Sequence, residues 1–373
     1  MKRISILIKP ASSLCNIRCK YCFYADVSSL REVKSYGKMT KETVEKMVPN
    51  LFKDLNDGDE LHLAFQGGEP TLAGLNYFKH VIHCVEQQTK KVNVSYAIQT
   101  NGMIINEKWC QFLKENNFLV GLSIDGTPTF HDKNRLDAKQ NGTFHRVLQT
   151  KKLFDQYEIA YNVLCVVTEE LSYHAKEVFD FIQQQGISYI QFIPCLAELN
   201  ATEPNSYALT SQGYARFYRE MLSYWQKELT KGHYFSIKQF DDIINLLVRH
   251  QVTACGMLGN CQIQYVIEGD GSVFPCDFYA LDEYYLGNIC EIGLKEMFLS
   301  KVSKRFLCSR PTATLPKMCE SCPFYQMCRG GCKRLNEAMY VDQQNQFCGY
   351  QTLLEEFVPR INEYLYLLEG CRL

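Results

Sequence analysis

Ile4-Ser-Ile-Leu-Ile8, followed at once by Lys9-Pro-Ala-Ser-Ser-Leu-Cys15-Asn-Ile-Arg-Cys19-Lys-Tyr-Cys22, is the stretch on which the reading of this chain turns. The first five residues form a short, β-branched apolar run, the pattern of a buried strand. The three cysteines that follow stand in the spacing C-x3-C-x2-C. Thiolates this close together can hold three irons of a [4Fe–4S] cube. Such clusters usually take four cysteines, so the fourth iron is left open. An open iron is a place where a small molecule can bind and react.

Working outward, similar apolar runs recur at Leu61–Phe65, Val92–Ile98, Phe118–Ile124, Tyr161–Val167 and Tyr189–Ile193. Helical periodicity lies between them, over Asn76–Gln88, Asn106–Asn117, Phe144–Tyr157 and Tyr173–Gln185. Asn106 is placed to cap its helix and Gly186 to stop the last one. Thr40–Leu55 also starts like a helix, and Pro49 is expected to kink or split it. Six strand–helix repeats predict an α/β fold with a parallel sheet and right-handed crossovers. Six are too few for a full eight-stranded barrel, so a partial (β/α)6 TIM-like barrel is expected. Chemistry in such a barrel sits at the C-terminal ends of the strands.

Beyond about residue 235 the texture changes. A helix-like Ser211–Leu229 and then Ile237–His250 lead into a cysteine-rich region. Glu268-Gly-Asp-Gly-Ser272 reads as a hairpin turn between two strand-like runs, and an aromatic-rich helix over about Gln351–Glu369 closes the chain. Cys319-x2-Cys322-x5-Cys328-x3-Cys332 with Cys348, together with Cys255, Cys261 and Cys276 upstream, makes eight cysteines. That is enough for two four-thiolate iron–sulfur clusters; two structural zinc sites are the competing reading, because tetrathiolate zinc uses similar spacings. Seven further cysteines carry no assigned role, and Cys84 and Cys165 read as small buried hydrophobes.

The 373 residues hold 18 cysteines, with 46% hydrophobic and 22% charged residues and a net charge of −1. This is a soluble globular composition with material for two domains. The near-zero charge gives no reason to expect a nucleic-acid partner. No run of 18 apolar residues and no signal-peptide core is visible, so a cytoplasmic chain without a membrane partner is expected. In a reducing compartment so many cysteines point to metal rather than disulfides.

Taken together, these motifs resemble those of the radical S-adenosylmethionine (SAM) superfamily. Cys15-x3-Cys19-x2-Cys22 is similar to its cluster motif. Gln66-Gly-Gly-Glu-Pro70 is similar to its glycine-rich SAM segment. The eight later cysteines are similar to a SPASM domain with two auxiliary [4Fe–4S] clusters. Ile8-Lys-Pro-Ala-Ser-Ser13, Tyr21-Cys-Phe-Tyr24, Lys34-Ser-Tyr-Gly37, Gln99-Thr-Asn-Gly102, Gly121-Leu-Ser-Ile-Asp-Gly126 and Cys276-Asp-Phe-Tyr279 extend the resemblance to the anaerobic sulfatase-maturating enzymes.

The resemblance implies a radical SAM barrel over residues 1–234 and a SPASM domain over residues 235–373. It implies three [4Fe–4S] clusters and SAM as cofactors. Cys15, Cys19 and Cys22 would hold the SAM cluster. Tyr21, Gly68, Ser123, Arg135 and Leu196 would contact SAM. Cys255, Cys261, Cys276 and Cys332 would hold the nearer auxiliary cluster, and Cys319, Cys322, Cys328 and Cys348 the further one. Asp277 would be the catalytic base, a role suited to a carboxylate beside a negatively charged cluster.

Gly67 and Gly68 would let the backbone approach the ligand, and Asp125 would bind ribose hydroxyls. Tyr24, Gln66, Gln99 and Asn101 would hydrogen-bond an extended peptide. The implied reaction is Cβ hydrogen abstraction from a sulfatase cysteine or serine, giving Cα-formylglycine. The implied partners are an unfolded Cys-x-Pro-x-Arg segment and a flavodoxin- or ferredoxin-type electron donor, with the enzyme a monomer. A maturase that forms thioether or carbon–carbon crosslinks in a ribosomal peptide is the alternative. Only 14 residues precede Cys15, which leaves no room for the leader-binding domain such enzymes often carry. An electron-transfer protein or a zinc scaffold would explain the late cysteines but not the strand-end motifs.

Overall fold

The alternation of short β-branched runs with amphipathic stretches folds as its periodicities dictate. A computed structural model describes residues 1–201, 205–308 and 316–371. The chain divides into two units. One comprises Met1–Ser123, Asp132–Tyr161 and Gln262–Ser309, and the other Ile124–His131, Asn162–Cys261 and Arg310–Leu373.

In the first unit, the strands Arg3–Ile8, Glu60–Phe65, Asn93–Thr100 and Leu119–Ser123 lie side by side and parallel. Ile8 pairs with Phe65, Phe65 with Ile98 and Gln99 with Gly121. The strands therefore end close to one another, and the residues after them share one edge of the sheet. Helices Lys41–Lys53, Leu75–Glu86 and Glu107–Glu115 return the chain between strands. Asn106 caps the third, its side chain accepting from Trp109 N. Phe65 is 1% exposed, and its ring stands 5.0 Å from Phe78 and 6.1 Å from Phe118. Burying an aromatic side chain of this size contributes roughly 2–3 kcal/mol.

Val266–Ile267 adds a further parallel strand beside Leu7–Ile8. It turns through Gly271, whose φ is +91°, into the antiparallel Ser272–Phe274, as the Glu268–Ser272 turn requires. A separate two-stranded ribbon pairs Ile17–Cys19 with Arg135–Asp137, placing Cys19 opposite Arg135. No periodicity in so short a stretch announces it.

The strand Tyr161–Val167, in the second unit from Asn162 onward, runs parallel to Tyr189–Pro194, with Val163 opposite Ile190. Ser236–Ile237 follows beside Tyr189–Ile190. Ala175–Gln184 and Ser211–Thr230 are the helices expected here, and Gly186 takes the left-handed φ of +59° that stops the first. Fully buried Trp225 donates from Nε1 to Phe235 O at 3.0 Å.

Pro49 does not split its helix, whereas the last helix is interrupted at a proline. Lys41–Lys53 remains one helix with Pro49 inside it. Val44, Met47, Val48, Leu51 and Phe52 are buried along it, and this packing outweighs the one backbone hydrogen bond that proline removes. The final helix, expected unbroken, is Gly349–Phe357, a 3-10 turn Val358–Arg360 containing Pro359, and Ile361–Gly370.

Candidate active site

The cysteine loop is shaped by its neighbours' backbones. Cys15, Cys19 and Cys22 are half-buried. Arg135 Nη1 reaches Cys19 Sγ at 4.0 Å, and its guanidinium lies over the Tyr21 ring at 5.6 Å. The ribbon pairing of Cys19 with Arg135 makes both contacts possible. Asn101, just past its strand end, donates from Nδ2 to Asn16 Oδ1 at 2.8 Å and to Cys15 Sγ at 3.7 Å. Burial pushes the Cys15 thiol up to about 11. A thiol so disposed becomes a thiolate when a metal binds and releases its proton. Cys22 opens the helix Phe23–Ser29.

Gly67 and Gly68 serve this loop directly. Gly67 has φ +113°. A Cβ on Gly68 would stand 2.2 Å from Leu14 O, because Gly68 N donates to Ser12 O and Glu69 N to Leu14 O, each at 2.8 Å. The missing side chains thus let two backbones touch. Glu69, to which sequence reasoning gave no role, is 1% exposed. Its Oε1 accepts from Thr71 N at 3.1 Å, Thr71 Oγ1 at 2.5 Å and Thr100 Oγ1 at 2.7 Å, and its Oε2 from Asn101 N at 2.8 Å. Burial raises its pKa against these bonds. Glu69 ties the glycine turn to the next strand end, and so to Asn101 and Cys15.

Asp277 lies in a buried ionic network that the sequence reading did not anticipate. It begins the turn Asp277–Tyr279, and Tyr24 OH donates to its Oδ2 at 2.6 Å. The same hydroxyl stands 3.3 Å from Gln66 Oε1. Lys9 Nζ is 2.8 Å from Asp277 Oδ1 and 3.4 Å from Glu268 Oε1. Arg31 Nη1 donates to Glu268 Oε1 at 2.6 Å, and Ser12 Oγ to Glu268 Oε2 at 2.7 Å. Two cations thus face two carboxylates, the only arrangement in which four charges are tolerable away from water.

Burial works against charge on both Lys9 and Glu268, but their partners outweigh it. Lys9 is raised by Asp277 and Glu268, and Glu268 is lowered by Lys9 and Arg31. Burial first, and then the charge of Asp277, push the Tyr24 phenol well up, so it keeps its proton and donates a hydrogen bond to Asp277. Asp277 Oδ1 is buried and faces the Lys9 ammonium at 2.8 Å, a charge-assisted contact. Phe23 holds the turn from the other side, its ring 5.0 Å from Phe278.

The remaining residues singled out by sequence fall as follows. Ser123 ends its strand half-buried in the first unit, and Leu196 is half-buried in the second. Asp125, considered for ribose binding, is buried, and its Oδ1 accepts from Val166 N at 2.9 Å. Cys165 is fully buried as expected. Cys84 is only half-buried, 3.7 Å from His80 Nε2.

In the second unit, Cys319, Cys322, Cys328 and Cys348 line one recess together with Tyr325, Tyr340 and Tyr350. Cys348 caps the helix Gly349–Phe357, its Sγ accepting from Gln351 N at 3.4 Å. Burial pushes its thiol up to about 12. Three left-handed residues, Arg329, Gly330 and Gly331, turn the chain between Cys328 and Cys332. A Cβ on Gly256 would stand 2.7 Å from Cys332 Cβ, so the backbone after Cys255 abuts Cys332. Cys276 lies in the first unit, directly before Asp277. Among the described residues, no three His, Cys, Asp or Glu side chains converge tightly enough to hold a single metal ion.

Comparison with known proteins agrees with this construction. The radical SAM superfamily model matches residues 10–182, and the SPASM iron–sulfur cluster-binding domain matches residues 255–323. Fold and cysteine pattern together define a radical SAM enzyme with a partial-barrel fold and a SPASM domain. The cysteine-type anaerobic sulfatase-maturating enzyme of Clostridium novyi is 41% identical over 97% of this chain and 97% of that one. Its counterpart from Clostridium perfringens is 37% identical over 97% and 98%. A solved structure of native anSMEcpe with bound AdoMet and Cp18Cys peptide matches with a TM-score of 0.88 and 35% identity, over 98% of this chain and 99% of that one. The chain belongs to the anaerobic sulfatase-maturating enzyme family.

Proposed function

We propose that this chain oxidises the active-site cysteine of a sulfatase polypeptide to Cα-formylglycine, with Asp277 as the base. The cysteine-type relatives, at 41% and 37% identity, support cysteine as the substrate residue. The observation that carries the base assignment is the Asp277 carboxylate. Tyr24 holds its Oδ2 at 2.6 Å and Lys9 Nζ faces its Oδ1 at 2.8 Å. A carboxylate oxygen carries two lone pairs, so each contact leaves one for the substrate thiol proton.

The cofactors are SAM and three [4Fe–4S] clusters. When bound, they supply a carbon-centred radical that abstracts the Cβ hydrogen, and a sink for the second electron. We assign Cys15, Cys19 and Cys22 to the SAM cluster. Cys255, Cys261, Cys276 and Cys332 are assigned to one auxiliary cluster, and Cys319, Cys322, Cys328 and Cys348 to the other. Tyr21, Gly68, Ser123, Arg135 and Leu196 are assigned to the SAM pocket. Functionally, residues 1–234 would generate the radical and residues 235–373 would pass the electron outward, with a flavodoxin- or ferredoxin-type protein in the cytoplasm as the electron donor. Asp277 takes the thiol proton. Lys9 keeps the carboxylate paired, and Tyr24 fixes its orientation.

The fit of the cofactors rests on this chain's own atoms. Four cysteines line one recess, and three others stand in a loop that the Gly67–Gly68 backbone shapes. The test is anaerobic incubation with SAM, a reductant and a Cys-x-Pro-x-Arg peptide, followed by mass. A loss of about 18 Da is expected for cysteine going to formylglycine. A loss of about 2 Da with a new crosslink would replace this reading by that of a crosslinking maturase.

A further inference from the structure

Among the described residues, three buried phenols of the second unit have hydroxyls without a hydrogen-bond partner, Tyr214, Tyr350 and Tyr364; the first two concern the cysteine recess. Their side chains are among the most deeply buried of the chain, at 0% and 2% exposure. Native proteins rarely strand a polar group in this way, because its lost hydration is not offset by a bond. An orphaned buried donor therefore asks for an acceptor that the polypeptide does not supply.

Both rings stand at the four-cysteine recess or against it. Tyr350 lines the recess beside Cys319, Cys322, Cys328 and Cys348, among the apolar side chains of Met318, Phe324, Val341 and Leu354. Its ring packs edge-on against Tyr340 at 5.4 Å. Tyr214 lies behind Gly349, the residue after Cys348, where a Cβ would come within 3.1 Å of Tyr214 Cδ1. A tyrosine hydroxyl, with an ordinary pKa of about 10, is a neutral O–H donor at neutral pH. An iron–sulfur cluster carries its negative charge largely on thiolate and sulfide sulfurs, which accept such bonds. Hydrogen bonds to those sulfurs are one of the means by which a protein sets a cluster's potential.

We propose that the Tyr350 hydroxyl, with that of Tyr214 beside it, donates hydrogen bonds to the sulfurs of the cluster held by Cys319, Cys322, Cys328 and Cys348 and raises its reduction potential. The proposal rests on the ligand assignment given under Proposed function. Stabilising the reduced, more negative cluster makes this site the favoured resting place for an electron leaving the substrate. Tyr214 and Tyr350 are positioning residues that act through the cluster.

The test is an anaerobic redox titration of the reconstituted full-length protein, followed by electron paramagnetic resonance, with iron counted in the same samples. Tyr350→Phe should keep about twelve irons per chain and lower the midpoint of one cluster while the other two hold. At fixed potential, the reduced-to-oxidised ratio of that cluster should fall about tenfold, equivalent to about 59 mV for one electron. Tyr214→Phe should shift the same midpoint by less. Full iron with no midpoint moved would overturn the proposal and leave the ligand assignment standing.

The ligand assignment is tested separately by Cys319→Ala with Cys322→Ala. This pair should lose about four irons together with the signal that moves in Tyr350→Phe; retention of both would refute it. Should Tyr350→Phe fail to hold iron, replacement of tyrosine by 3-fluorotyrosine serves instead. The stronger donor should raise the same midpoint, and an unmoved midpoint would again overturn the proposal.

Discussion

Lys9 Nζ stands 2.8 Å from Asp277 Oδ1, a buried ion pair that ties the carboxylate proposed as the base to the end of the first strand. Backbone register explains how two residues so distant in sequence come together. Ile8 pairs with Ile267, so Lys9 and Glu268 leave adjacent strands side by side. The turn through Gly271 then brings the chain back toward Asp277. Glu268 is itself fixed by Arg31 and Ser12, and Ser12 Oγ accepts from Tyr36 N at 3.1 Å. The base is thus held from the barrel's first strand and from the helix after the cysteine loop.

Replacing Lys9 with Met would leave two carboxylates and one guanidinium in a site closed to water. Breaking a buried pair in this way costs about 3–5 kcal/mol. Lys9→Met is therefore expected to lower unfolding stability by that amount in the reconstituted protein, measured by denaturant titration. Pairing it with Glu268→Gln should recover a good part of the loss. A single substitution costing under about 1 kcal/mol, the level of a surface ion pair, would show that the network carries no net stabilisation.

The same pair sets a pH window. Glu268 has a folded pKa below its ordinary 4.5, so its contribution is present above 4.5 and is lost as pH falls through the folded value. Lys9 is raised above its ordinary 10.5, so its contribution is full below 10.5 and is lost as pH rises through the folded value. Between these limits the network contributes a constant term. Glu268→Gln should flatten the acid limb of a stability-versus-pH curve relative to the parent protein. Parallel acid limbs in the two proteins would remove Glu268 from the account.

Much of this architecture is legible in the sequence, because hydrophobic periodicity is local. The strand Tyr161–Val167 coincides with its apolar run, and Asn106 caps where a side-chain acceptor before a helix should. The cysteine loop is legible for a similar reason, since its spacing is short. What stays hidden is pairing between strands far apart in sequence. Nothing near Lys9 says that Val266–Ile267 lies beside it, and nothing near Cys19 says that Arg135 lies opposite. Lys9, Arg31 and Glu268 therefore escape notice, although Lys9 follows a strand end as Gln66 and Asn101 do. Pro49 misleads because its local cost is overridden by a buried helix face that only the tertiary fold supplies.

Gly68→Ala tests whether the glycine turn shapes the cysteine loop. The added Cβ would fall 2.2 Å from Leu14 O and 2.7 Å from Ser13 C. Both are backbone atoms, so no side chain can swing aside. The loop carrying Cys15 must move, and the variant is expected to lose about four of twelve irons and to cleave no SAM. Full iron and parental SAM cleavage would mean that the turn yields without disturbing the loop.

Tyr24→Phe separates orientation of the base from its chemistry. It keeps the ring that packs 4.0 Å from Phe23 and removes only the hydroxyl that donates to Asp277 Oδ2. A hydrogen bond to a charged group is worth about 1.5–3 kcal/mol, so formylglycine formation should fall by roughly 10- to 100-fold. Removing the base itself by Asp277→Asn should cost more, about 10²–10⁴-fold. Both variants should retain full iron and cleave SAM at the parental rate, because neither substitution alters a proposed cluster ligand. Liquid chromatography of 5′-deoxyadenosine alongside peptide mass would read the two steps apart. If Asp277→Asn makes formylglycine at the parental rate, another group takes the thiol proton. If Tyr24→Phe proves the more damaging of the two, the phenol has a part in the reaction beyond holding Asp277.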